Sequence, residues 1–341
     1  MAPSLSQSTK GVSVRQIVPV LSILLTAAIH AAGPASVTAG ASREFQFEYI
    51  TRIPAVEAGK LRLWIPVPQS DGHQEVSRLA VQSPVAYEFH QDPEYRNRYA
   101  YIELPARRRP APLEVKLTFQ AKRRENRVRL NGQSGQERPA ELARLLHPDR
   151  RVPLNGIIAS LAEEQTRGLE RPVDKARAIY NYVVSTMRYD KTGEGWGRGD
   201  AIFACNARRG NCTDFHALLI GMMRAAGIPA RFEIGFSLPA DRQAGSVPGY
   251  HCWAQFWLDD VGWVPVDASE AWKDPSRRDY FFGAHDAHRV LFTRGRDIRF
   301  NPAQNGEPVN FFIYPYAELD GKPFAGVEYS FSFRDLGGPG R

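Results

Sequence analysis

The sequence predicts an α+β protein from three observations: period-two alternation between Arg43 and about Arg124, apolar residues at three- and four-residue spacing from Asn155 onward, and a strand hairpin between Tyr250 and Asp267. Ahead of these, Lys10 and Arg15 precede the apolar run 17–29, which is shorter than the roughly 20 residues of a membrane span. Small residues follow, and a cut after Ala39 or Ala41 suits leader processing, so residues 1–41 read as a signal peptide. The prediction is an exported chain, periplasmic or extracellular, with no integral span after signal removal; an uncleaved anchor is the other reading.

Residues 42–125 alternate as Phe45, Phe47, Tyr49; Leu61, Leu63, Ile65; Tyr99, Tyr101; and Val115, Leu117, Phe119. Prolines between these runs favour an N-terminal antiparallel β-sandwich, an accessory domain, over βαβ units. Residues 126–152 are polar, basic and glycine-containing, and read as a linker with a short helix near 141–146. Residues 153–341 form the second domain. Ile157, Ile158 and Leu161 mark one helix, and Ala176, Ile179, Tyr180, Val183, Val184 and Met187 mark another opened by Pro172. The aromatic runs 311–316 and 327–333 are expected to complete the sheet and roof the cleft.

Composition narrows the function. The 341 residues carry 44 Lys+Arg against 37 Asp+Glu, and 43% hydrophobic with 11% aromatic content excludes a mostly disordered chain. Residues 107–109 and 122–124 are basic but lack interleaved stacking aromatics, so no nucleic-acid partner is predicted. The glycine-dense stretch 193–200 has no Gly-Lys-Ser/Thr ending and no preceding strand, which argues against a phosphate cradle and a nucleotide cofactor. Cys205, Cys212 and Cys252 are too few for a disulfide scaffold, and an odd count leaves at least one free thiol.

The chemistry centres on Gly210-Asn211-Cys212-Thr213-Asp214, which opens an apolar helix that closes at Gly227-Ile228-Pro229. Cys212 thus falls in the first helical turn, where unpaired N–H groups and the macrodipole favour a thiolate. In the hairpin, His251 and Asp267 lie about equally far from the Asp259-Asp260 turn, so they face each other within a residue or so. Asp267 then orients the His251 ring and stabilises the imidazolium that partners a thiolate. Period two sends Cys252 to the opposite face, as packing or as a partner for Cys205. His216 shares the helical face of Cys212, but two residues are not a metal site and no further ligand motif accompanies them, so no metal is predicted. Trp253, Trp257 and Trp263 read as core, and Asn211-Cys212-Thr213 is a glycosylation sequon misplaced at a buried helix start. Arg294 and Arg296 fit either a substrate carboxylate or structural ion pairs.

These blocks, with Arg224-Ala225-Ala226-Gly227-Ile228-Pro229-Ala230-Arg231, His251-Cys252-Trp253 and Gly262-Trp263-Val264-Pro265-Val266-Asp267, resemble the core of the transglutaminase-like superfamily over residues 155–285, in its bacterial exported type. The resemblance implies a papain-like α+β fold and thiol chemistry on amides, with Cys212, His251 and Asp267 as the catalytic set and no cofactor. Animal members add calcium sites and C-terminal barrels, for which this chain has too few residues. Trp196 and Asn206 are candidate oxyanion donors beside the Cys212 backbone N–H. The expected substrate is a protein or peptide, such as a cell-envelope peptide. The alternative is a peptide- or glycan-binding scaffold that keeps the fold without turnover.

Overall fold

A computed structural model describes residues 41–56, 58–131 and 139–337. Residues 1–40 of the expected leader, and residues 132–138 of the stretch read as a linker, lie outside the described residues.

Six strands come first: β1 (Ser42–Ile53), β2 (Leu61–Val67), β3 (Gln74–Gln82), β4 (Glu88–Gln91), β5 (Arg98–Leu104) and β6 (Leu113–Arg124). Four helices follow, α1 (Ile157–Thr166), α2 (Pro172–Thr186), α3 (Ala201–Ala207) and α4 (Cys212–Ala225). Then come β7 (Ala230–Ser237), β8 (Ala244–Ser246), β9 (His251–Leu258), β10 (Gly262–Val266), α5 (Ala268–Lys273), β11 (Arg289–Arg294), β12 (Tyr316–Leu319), β13 (Lys322–Pro323) and β14 (Glu328–Asp335). The fold is α+β as expected.

Alternation puts Phe45, Phe47, Tyr49, Leu61, Leu63, Ile65, Val115, Leu117 and Phe119 in one buried cluster. Tyr99 and Tyr101 instead join Trp64, Phe300 and Phe312 in a second, aromatic cluster. Two five-stranded sheets result, in the orders β8-β14-β1-β6-β3 and β13-β12-β2-β5-β4. The third sheet, β10-β9-β7-β11, carries the hairpin.

The C-terminal strands sit elsewhere than expected. β14 pairs antiparallel with β1, Phe47 opposite Phe333, and β12 pairs with β2; neither extends the hairpin sheet. The reason is apolar surface: Phe331 and Phe333 are buried in the same cluster as Phe47 and Tyr49. That cluster also takes in α1, α2, α4 and β9, so one core runs under both β layers and the helices. The short helix expected near 141–146 is two 3₁₀ turns, whose Leu142 and Leu145 pack on Trp257.

α4 is the axis of the site. Every residue from Cys212 to Arg224 is buried, because α1, α2, α3 and β9 pack around it. Its exit follows from Gly227 at φ +80°, where Ile228 N–H reaches back to the Met223 carbonyl at 2.9 Å. Beside the hairpin in the same sheet, Gly235 of β7 lies opposite His251. A Cβ there would sit 1.8 Å from the Val290 carbonyl oxygen on β11. Gly235→Ala is therefore expected to cost about 3 kcal/mol or more in denaturant unfolding, because backbone must move. Gly72→Ala, whose Cβ meets nothing within 4 Å, is expected to stay within about 0.5 kcal/mol.

Candidate active site

The start of α4 is built by its own sequence. Asn211 caps the helix, its side chain accepting from Thr213 N–H at 2.9 Å, and Asp214 closes a capping box by accepting from Asn211 N–H at 3.0 Å. Asp214 also accepts from Gly197 N–H at 2.6 Å and Gly199 N–H at 3.0 Å. The glycine-dense loop thus wraps an internal carboxylate rather than a phosphate. Gly210 is needed just before, since at φ +151° its Cβ would lie 2.3 Å from the Asp214 carboxylate.

This scaffold holds Cys212 at 1% exposure against His251 at 4%, with Asp267 fully buried. His251 Nε2–H donates to Asp267 Oδ2 at 2.8 Å, which leaves Nδ1 as the ring nitrogen free to meet the neighbouring Cys212 thiol. The hairpin register is offset from the expected one. The ladder runs from Leu258 opposite Gly262 to Ala254 opposite Val266 and stops short of His251, so the His251–Asp267 contact is diagonal. Asp267 follows the strand as the cap of α5, its Oδ1 accepting from Ser269 Oγ–H and Glu270 N–H at 3.0 Å each.

Cys212, His251 and Asp267 all fall within one stretch that matches a known family. Residues 159–268 match the model of the transglutaminase-like superfamily. The matched stretch is transglutaminase-like. An uncharacterised Haemophilus influenzae protein is 26% identical over 318 residues, spanning 82% of this chain and 86% of its own. YebA of Bacillus subtilis is 23% identical over 134 residues, covering 35% of this chain and 18% of its own. A candidate cysteine protease from Cytophaga hutchinsonii shares the fold with a TM-score of 0.58 at 15% identity, over 88% of this chain and 95% of that one.

Electrostatics in this transglutaminase-like site favour an ion pair. For His251, burial opposes the charged form, but the Asp267 carboxylate and the hydrogen bonds to Asp267 and Cys212 outweigh it, and the pKa rises to about 10. Burial likewise opposes the Cys212 thiolate, yet hydrogen bonds from the Cys252 side chain and His251, with the His251 charge and the Cys252 backbone N–H, hold its pKa well below the ordinary thiol value. Asp267 is held low despite burial by His251 and by Arg289, whose Nη1–H donates to Oδ2 at 3.2 Å. Arg289, fully enclosed and stacked 4.9 Å from the Trp253 ring, also pairs with Asp286 at 3.0 Å. Nothing in sequence spacing marks it; it opens β11, directly ahead of the apolar Val290-Leu291-Phe292.

Other expected residues divide. Cys252 does not pair with Cys205; all three cysteines are free. Because α4 packs across β9, its first-turn thiol meets Cys252 as well as His251, so opposite faces of the strand did not keep Cys252 from the site. Trp196 donates its indole N–H to the Gly193 carbonyl at 3.0 Å within its own loop, and Asn206 is exposed on α3 beside Arg150 and Arg151. Neither is brought into a hydrogen bond with Cys212. Arg294 pairs with Glu233 at 2.8 Å and Asp71 at 2.6 Å, and Arg296 donates to the Gly199 carbonyl at 2.7 Å; both are structural. Trp253 and Trp257 are core. Among the described residues, no group of three His, Cys, Asp or Glu side chains is placed to hold a metal ion, and no helix is long and apolar enough to cross a membrane.

Proposed function

We propose that the protein is an exported cysteine-dependent enzyme that acts on amide bonds of a protein or peptide, such as a cell-envelope peptide, through a thioester acyl-enzyme. One observation supports this reading: a buried thiol, imidazole and carboxylate come together at the start of α4, His251 Nε2 lying 2.8 Å from Asp267 Oδ2, in surroundings that favour thiolate and imidazolium. Cys212 Sγ attacks the carbonyl carbon, the C=O electron pair moves to oxygen, and the backbone N–H of Cys212, which has no intrahelical acceptor at the first helical position, is available to donate to that oxyanion. Collapse breaks the C–N bond while His251 gives its proton to the leaving amine. The now neutral His251 then takes a proton from water or from a primary amine, which attacks the thioester and releases Cys212 as thiolate. Asp267 keeps the ring oriented throughout.

The near-complete enclosure of Cys212 favours a second reading, a peptide- or glycan-binding scaffold without turnover. Incubating the purified protein with cell-envelope extract and a labelled primary amine separates the two. Shortened peptides indicate hydrolysis and incorporated label indicates transamidation; binding with neither product, in a protein whose Cys212 is alkylated at neutral pH, would overturn the enzymatic reading.

A further inference from the structure

A second imidazole is enclosed beside the triad and has no part in the steps above. His216 lies one turn after Cys212 and is fully buried. Its Nδ1 is 2.8 Å from the Cys212 carbonyl oxygen and 3.6 Å from Cys252 Sγ. Its Nε2 is 3.2 Å from the Ala268 backbone nitrogen and 3.7 Å from Asp267 Oδ1. These partners settle the tautomer. A carbonyl only accepts, so Nδ1 carries the hydrogen; a backbone N–H only donates, so Nε2 is bare.

The charged and titratable groups around the ring agree. Burial disfavours its cation, Asp267 and Cys212 favour it, and His251 opposes it; the net direction is below the ordinary histidine value. A protonated ring would aim Nε2–H at the Ala268 N–H and forfeit that bond. The ring is therefore a neutral strut, one end on the residue bearing the nucleophile and the other on the residue after the carboxylate. Ser269 and Glu270 hold Asp267 from within its own turn and Arg289 holds it from β11, whereas His216 ties that turn to α4.

We propose that His216 is a positioning residue that sets the separation of the Cys212 turn from the Asp267 turn, and so the alignment of thiolate, imidazolium and carboxylate. This rests on Cys212 and His251 being the reactive pair. The alignment matters because charge attraction and proton transfer both weaken steeply when a site loosens by about 1 Å.

Three variants test it. His216→Asn keeps a donor near the Cys212 carbonyl, His216→Gln keeps an acceptor near Ala268, and His216→Leu keeps neither. The readouts are the pH dependence of iodoacetamide labelling at Cys212, followed by peptide mass spectrometry, together with kcat, KM and melting temperature. His216→Leu is expected to raise the acid midpoint of labelling by about one pH unit or more and to lower kcat about 100-fold with KM within about threefold. The Asn and Gln variants are expected to fall in between. A folded Leu variant with unchanged midpoint and kcat would overturn the proposal, leaving His216 as core filler. Should the Leu variant not fold, unchanged midpoints in both Asn and Gln variants would do the same. Labelling needs no substrate, so failure to find amide turnover would count against the proposed reaction and not against this one.

Discussion

Cys212→Ala is expected to lower kcat/KM by more than about 10⁴-fold, or about 5.5 kcal/mol of transition-state stabilisation, since no thioester can form. The same variant is expected to lose the neutral-pH iodoacetamide adduct. The other two thiols serve as internal controls. Burial raises the pKa of both Cys205 and Cys252, and Cys252 is pushed up further by the neighbouring Cys212 thiolate, so neither supplies a reactive thiolate near neutrality. Labelling that persists undiminished in Cys212→Ala would place the reactive sulfur elsewhere.

Asp267→Asn is expected to have the second-largest effect, a loss of about 10³- to 10⁴-fold in kcat/KM with the protein still folded. The amide carries no charge to hold a proton on His251, so the imidazolium that stabilises the Cys212 thiolate is lost at neutral pH. Arg289 keeps Asp286 as a partner, which limits the damage to the fold. The stability cost has a definite pH dependence. Asp267 is a carboxylate whose folded pKa is depressed, so its contribution is present above the ordinary carboxylate range and is lost as pH falls through the folded value. Denaturant unfolding should show the wild-type advantage at pH 7 shrinking below about pH 4. An advantage that grows on acidification would mean the carboxylate is not paired as described.

Cys212, His251 and Asp267 could be placed near one another from sequence because each sits in or beside an element with a local signature. Asn211 and Asp214 announce a helix start, Gly227-Ile228-Pro229 announces its end, and alternation around residue 260 announces a hairpin. Burial of Phe45, Phe47 and Tyr49 likewise follows from period two. Contacts across elements were not legible. Which strand β14 chooses depends on where unpaired edges and apolar faces meet in three dimensions, so its pairing with β1 is invisible to spacing. The hairpin register shifted because Val261 joins its turn, its N–H donating to the Leu258 carbonyl at 3.0 Å. Periodicity correctly separates the side chains of His251 and Cys252, but says nothing of a helix end that reaches both. His216 and Arg289 act through atoms contributed by segments distant in sequence, Ala268 for one and Asp267 for the other.

The most direct test is the rate of Cys212 alkylation by iodoacetamide against pH, read on the mapped peptide. A thiolate paired with an imidazolium predicts a single acid midpoint well below the roughly 8.5 of a free thiol, then a plateau through neutrality to about pH 10, where His251 loses its proton. A midpoint at or above about 8.5, with no reactivity at neutral pH, would show a neutral thiol beside a neutral ring and contradict the account.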